Sequence, residues 1–240
     1  MRALQPYAVE RKGNIAGIVG TGSRGAFLAM SGALAYLVLN SRHKASAIAA
    51  AVVIGLGALA LAPGSYLDRI QSIGSYEEDS SALGRIMAWK AAMRMAVGDP
   101  LGVGAGNFNT AYGREYRPQQ VDERIYSPSR WISPHSVYFL VLGEYGIIGL
   151  ITILILLYNN YRDNQAQIKI NEIAKKRNSD AYSLPLLPKY LNTSLVAFSV
   201  GGAFLGGINY PHIYILTALI LRVKQMNQEG ADTLKADDAS

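Results

Sequence analysis

The chain has 240 residues, half of them hydrophobic and only 17% charged, where soluble domains carry about 25%. Mean hydropathy is +0.13 although 23 Lys and Arg and 17 Asp and Glu are present, so the charges are segregated, which excludes a disordered chain and argues against an ordinary cytosolic domain. The absence of cysteine excludes a disulfide framework, a thiol nucleophile and a Cys-based metal site. The net charge of +6 fits a positive-inside membrane protein as well as a nucleic-acid binder, so charge alone does not choose between them.

Residues 1–24 hold Arg2, Arg11 and Lys12 ahead of a short apolar run at 15–22. That run is too short to span a bilayer, and no basic start leads directly into an apolar stretch as in a signal peptide. It reads as the remnant of a preceding membrane helix, so the chain is expected to be the C-terminal part of a larger membrane protein. Residues 25–62 read as two transmembrane helices. The first, GAFLAMSGALAYLVLN, has 16 residues and reaches about 24 Å, slightly short of a ~30 Å core. The second, at 45–62, has 18 uncharged residues rich in Ala and Gly, a composition suited to close packing in lipid, and Pro63-Gly64 ends it. Residues 136–158 form the strongest span, 23 residues with one charge. A final pair of spans is read at 191–223, with a turn marked by Gly206-Gly207 and Pro211, followed by a tail at 224–240. Uncharged apolar runs of this length are rare in soluble domains. The predicted class is an all-α integral membrane protein.

Orientation follows from the basic loops. Residues 41–44 carry Arg42 and Lys44. Residues 159–190 carry Arg162, Lys169, Lys175, Lys176, Arg177 and Lys189 against Asp163, Glu172 and Asp180. Both loops, and the tail, are expected in the cytoplasm. Residues 63–135 then lie outside; their eight basic and eight acidic residues do not oppose this, because long segments translocate largely regardless of charge. Tyr158, Tyr161 and Tyr190 fall at the inner boundary, and Trp131 and Tyr138 at the outer one.

The external segment is too long for a structureless connector. Ser80-Ser81 offers an N-cap to an amphipathic helix over 82–97, with Ile86, Trp89, Met93 and Val97 on one stripe and Arg85, Lys90 and Arg94 interspersed. Such a helix is expected at the membrane surface. Three alternating glycines follow at 102, 104 and 106. They lack the preceding strand and following helix of a dinucleotide-binding loop, and read as a turn that lets backbone pack closely. His135 follows Pro134 at the mouth of the 136–158 helix. A neutral imidazole there can deprotonate a hydroxyl; the plainer reading is a solvated interfacial histidine. Arg24 directly precedes an apolar helix, where it either snorkels to headgroups or grips a pyrophosphate with its fork of donors. Glu144, half a turn out of phase with His135, reads as a buried polar contact between helices. The three histidines are not spaced as a metal site.

Several short motifs then stand in a definite order: Thr21-Gly22-Ser23-Arg24-Gly25, Ala82-Leu83-Gly84-Arg85 with Trp89 four residues on, Asp99-Pro100-Leu101-Gly102-Val103-Gly104, Pro134-His135-Ser136-Val137-Tyr138-Phe139, and Leu142-Gly143-Glu144-Tyr145-Gly146-Ile147-Ile148-Gly149-Leu150. Together they resemble the O-antigen ligase and polymerase superfamily, over Gly20 to about Arg222. Tyr76 to Arg85 and the His135-Ser136 pair look most like the O-glycosylation ligases associated with exosortase systems. The resemblance implies a GT-C-like helical bundle of the bacterial inner membrane with a long periplasmic loop. It implies transfer of a glycan from a polyprenyl-diphosphate carrier to a lipid or protein acceptor, with no metal, cofactor or nucleic acid. By position, Arg24 and Arg85 would hold the diphosphate and His135 would act as base or orient the acceptor. Two departures stand out: Ser136 replaces the common Asn, and the family's earlier membrane helices are absent. A polymerase, a transport component and a non-enzymatic membrane subunit are the competing expectations.

Overall fold

The computed structural model describes residues 24–60, 80–117, 132–176, 186–206 and 211–237. Regular structure among them is entirely helical: α1 (Arg24–Leu39), α2 (Lys44–Ala60), α3 (Ser80–Gly98), a single turn α4 (Phe108–Ala111) running into a π-helical turn (Tyr112–Tyr116), α5 (Val137–Lys176), α6 (Leu187–Gly202) and α7 (His212–Asp237). One helix, over Val137–Ile173, is long and apolar enough to cross a membrane; Leu28–Leu39 and Lys44–Gly57 are apolar but shorter.

Close approach of small residues joins α1 to α6, which pack more extensively than any other described pair. A Cβ on Gly32 would lie 2.9 Å from Val200, and one on Gly201 would lie 3.1 Å from the Ala29 Cβ. Each glycine makes room for a side chain of the facing helix, Gly32 for Val200 and Gly201 for Ala29, the small-residue packing that lipid-embedded helices favour. The C-terminal end of α6 meets the start of α5, where a Cβ on Gly202 would sit 3.6 Å from Val137. Tyr138, expected as an outer anchor, instead donates its hydroxyl to the Ser199 carbonyl at 2.7 Å. Tyr158 and Tyr190 are exposed.

The boundary expected at Tyr158 does not end a helix. α5 has 40 residues, about twice the number that crosses a hydrocarbon core. Its distal half carries Asn160, Asn164, Gln167 and Asn171, all buried and on one face by their spacing. Asn160 donates to Thr217 at 2.7 Å, Asn164 to the Pro188 carbonyl at 2.6 Å and to Asn192 at 3.0 Å, and Asn227 to Gln167 at 2.8 Å. Lys224 pairs with Asp163 at 2.8 Å. Hydropathy reads this stretch as a loop because its buried face is amide rather than hydrocarbon. For the same reason α7 continues past Val223 to Asp237.

The other departure concerns α3. Its expected stripe divides: Ile86 and Trp89 are half-buried while Met93 and Val97 are exposed. The buried face is Ala88, Ala91, Ala92, Met95 and Ala96, and the first four form a core with Phe108 and Tyr112. Alanines admit the bulky aromatics that ring them, so the smallest side chains mark the core here.

Candidate active site at the His135 end of the bundle

α3 is strapped to the start of α5 by Trp89. Its indole N–H donates to the Pro134 carbonyl at 2.8 Å, and its ring stacks on Phe139 at 4.9 Å and 12°. His135 lies between the buried Pro134 and Ser136, whose carbonyl accepts the first bond of the helix from Leu140. His135 absorbs the change of direction with φ of +46°, the left-handed region. A non-glycine residue there costs about 1–3 kcal/mol and persists when its surroundings over-determine it. On the other side, a Cβ on Gly206 would lie 3.6 Å from the His135 Cα, so the chain beyond α6 closes against the histidine.

His135 is exposed, yet partial desolvation by its neighbours, and then the charge of Arg85, hold its pKa below the ordinary 6.5. Both favour the neutral imidazole, the form that accepts a proton. Arg85 lies one turn before Trp89 on α3, half-buried, and its Nε is enclosed with no hydrogen-bond partner among the described residues. The Ser136 hydroxyl, in a residue only 1% exposed, is in the same condition. Arg24 is the first residue of α1; its side chain lies outside the described residues. The next residue, Gly25, would with a Cβ come within 3.2 Å of Phe204, two positions from the Gly206 that meets His135. The start of α1, the Arg85 region of α3 and His135 therefore share one end of the bundle. Among the described residues, no three His, Asp or Glu side chains converge as metal ligands.

The glycine loop has a structural task. Gly146, with φ of +66° and ψ of −164°, breaks α5 into two segments. In an unbroken helix the Ile147 and Ile148 N–H groups would bond the carbonyls of Gly143 and Glu144. Here Val103 and Gly104 supply those donors at 2.9 and 3.0 Å, and Ile147 donates to Pro100 at 3.3 Å. Gly102 and Gly104 adopt φ of +88° and +95° to do this. A Cβ on Gly102 would lie 2.4 Å from the Glu144 carbonyl, and one on Gly146 would lie 1.9 Å from the Pro100 oxygen. Amides spent on helix carbonyls do not cradle a phosphate, so the close-packed turn is the correct reading. Glu144 is 5% exposed, and its carboxylate accepts from the Phe108 N–H at 3.4 Å, a buried polar contact as expected.

Sequence reasoning placed Trp89 on an apolar stripe without its bond to Pro134, and missed the break at Gly146. The spacing Gly143-x-x-Gly146-x-x-Gly149 within an apolar helix was its available signal.

The family model for O-antigen ligase matches residues 14–154, more than half of the chain. The chain belongs to the O-antigen ligase family. The match takes in α1 to α4, the glycine loop, His135 and the first part of α5, as far as Leu154. This O-antigen ligase family member is therefore a membrane protein of the ligase and polymerase type, a glycosyl-transferring enzyme of polysaccharide biosynthesis that acts on lipid-linked glycan. Comparisons with curated proteins and with solved structures return no match.

Proposed function

We propose that this protein is a glycan ligase of the bacterial inner membrane. It moves an oligo- or polysaccharide from a polyprenyl-diphosphate carrier to a hydroxyl of a lipid or protein acceptor on the periplasmic side. In this reading the chain is multi-pass, residues 63–135 face the periplasm, and residues 159–190 face the cytoplasm. Membership of the family supports the substrate class, and the positive-inside distribution of Lys and Arg supports the orientation. The His135-Ser136 pair and residues 76–85 favour the exosortase-associated branch.

The observation that carries the reading is the pairing of a strained, deprotonated-leaning His135 with Arg85 at the end of the bundle where Arg24 begins α1. His135 accepts the proton of the acceptor hydroxyl. The acceptor oxygen bonds to the anomeric carbon, the bond from that carbon to the diphosphate oxygen breaks, and polyprenyl diphosphate leaves. Arg24 and Arg85 neutralise the charge that grows on the leaving oxygens, which the fork of a guanidinium does without a metal ion. No cofactor enters this scheme.

The test is glycan transfer in membranes containing the full chain, with protein levels matched. A positioned general base contributes about 10²–10⁴-fold, so His135→Ala should lower turnover by that range while donor binding survives. Near-normal turnover would remove His135 from the chemistry. A growing glycan chain with no acceptor other than a second lipid-linked repeat would favour the polymerase activity of the same family.

A further inference from the structure

The outward face of α3 has a composition that the transfer reaction does not use. Lys90, Met93, Arg94, Val97 and Gly98 line a shallow groove of about 710 Å³. Their spacing of three and four residues puts them on one stripe, opposite the buried alanines. Met93 is 48% exposed, Val97 82%, and Leu101, just beyond the helix, 75%. Such bare hydrocarbon is costly in water. α3 contains no acidic residue. Arg94 donates to the neutral Tyr116 carbonyl, and neither it nor Lys90 has an ion pair among the described residues. Asp99, just beyond the helix, accepts a hydrogen bond from the Tyr116 hydroxyl at 2.8 Å.

The position of this face identifies what covers it. The Pro100 carbonyl is bonded to the Ile147 N–H, so Leu101 sits beside the span ten residues in from Val137, where its exposed apolar side chains begin. From there Ile147, Ile148, Ile151, Leu154 and Ile155 continue down α5 as exposed hydrocarbon. The bare surface of Val97 and Leu101 thus extends the lipid-facing surface of the span. Arg94 and Lys90 follow about 5 and 10 Å back from Val97 along the helix, a spacing that suits phosphates above an acyl layer, which long cationic side chains reach.

We propose that the C-terminal half of α3 is a docking surface for anionic phospholipid, Val97 and Leu101 entering the acyl layer and Lys90 and Arg94 holding the headgroup phosphate. This goes beyond the transfer reaction and does not depend on His135 or on the acceptor. It explains how the strap that carries Arg85 and Trp89 is held against the bilayer.

The chain contains no cysteine, so a single nitroxide at Val97→Cys reports on this surface. Nanodiscs of phosphatidylcholine with phosphatidylglycerol are compared with phosphatidylcholine alone, using oxygen as the lipid-soluble relaxant and a nickel chelate as the aqueous one. The expected result is access by oxygen over nickel when phosphatidylglycerol is present, and loss of the phosphatidylglycerol dependence in a Lys90→Glu, Arg94→Glu background. A matching label at Ile151→Cys should remain oxygen-accessible in every sample, which verifies insertion of the span. Nickel access at 97 in both lipids overturns the proposal. Exclusion of both relaxants would mean a protein partner and also overturns it, as does oxygen access indifferent to phosphatidylglycerol and to charge reversal.

Discussion

At the level of single residues, the site turns on how His135 is held and what charge it faces. The guanidinium of Arg85 lowers the imidazole pKa, second to desolvation. Neutral imidazole is the reactive form, so the lowered pKa carries activity to lower pH than a free histidine would. Arg85→Gln removes the positive charge and should move the acid limb of the rate–pH profile to higher pH, apart from any loss of donor binding. Arg85→Lys keeps a charge but loses the bidentate fork. It should leave the limb nearly in place and depress transfer, which separates the electrostatic contribution from the geometric one. An unmoved acid limb in Arg85→Gln would break the link between the two residues. Trp89 is a positioning residue: Trp89→Phe keeps a ring against Phe139 but loses the bond to Pro134. It should cost about 1 kcal/mol of stability and lower transfer, whereas Trp89→Ala should do both more severely. Equal activity of Trp89→Phe and the parent would show that the bond to Pro134 does not set the histidine.

At the level of elements, the broken α5 and the glycine loop form one unit, since each satisfies the backbone groups the other leaves open. Unsatisfied amides within protein at membrane depth cost several kcal/mol, so disturbing either partner should be felt at both. Gly102→Ala and Gly146→Ala each add a Cβ where backbone lies within 2.5 Å and oppose a positive φ. Each should destabilise the protein by more than about 2 kcal/mol, read as a fall in the thermal midpoint in detergent. Gly106, also at positive φ but with open space at its Cβ, should tolerate alanine better, at about 1 kcal/mol. Equal loss at all three would mean that the loop is strained but not docked. This unit also marks what the sequence conceals. Glycines are visible as a loop and as a helix irregularity, but the exchange of hydrogen bonds between residues 100–104 and 143–147 is a long-range event that neither periodicity contains. The buried alanine face of α3 was missed because a stripe search follows the largest apolar side chains. His135, Arg85 and Arg24 were legible as single residues near helix mouths, and the fold supplied the common end of the bundle that no spacing in the chain reveals.

For the whole molecule, the apolar helices were legible where hydrocarbon runs unbroken, as in α1, α2 and the first part of α5, and among the described residues α5 alone is long and apolar enough to cross a membrane. They were not legible where α5 and α7 pair through amides. The orientation predicted from basic residues is open to test, because single cysteines at Gln119 and Ser179 can be challenged with a membrane-impermeant thiol reagent. In spheroplasts position 119 should label and position 179 should label only after lysis; the reverse pattern would invert the molecule and put His135 on the cytoplasmic face. The central claim, that this member of the O-antigen ligase family transfers glycan from a polyprenyl-diphosphate carrier through His135, is tested most directly by reconstitution. The full chain in proteoliposomes is given lipid-linked glycan and an envelope fraction as acceptor, and released polyprenyl diphosphate is counted against glycan joined to acceptor. One carrier should be released for each glycan joined, and both should fall about 10²–10⁴-fold with His135→Ala. Transfer that proceeds undiminished in His135→Ala, or glycan joined without release of the diphosphate carrier, would contradict that claim.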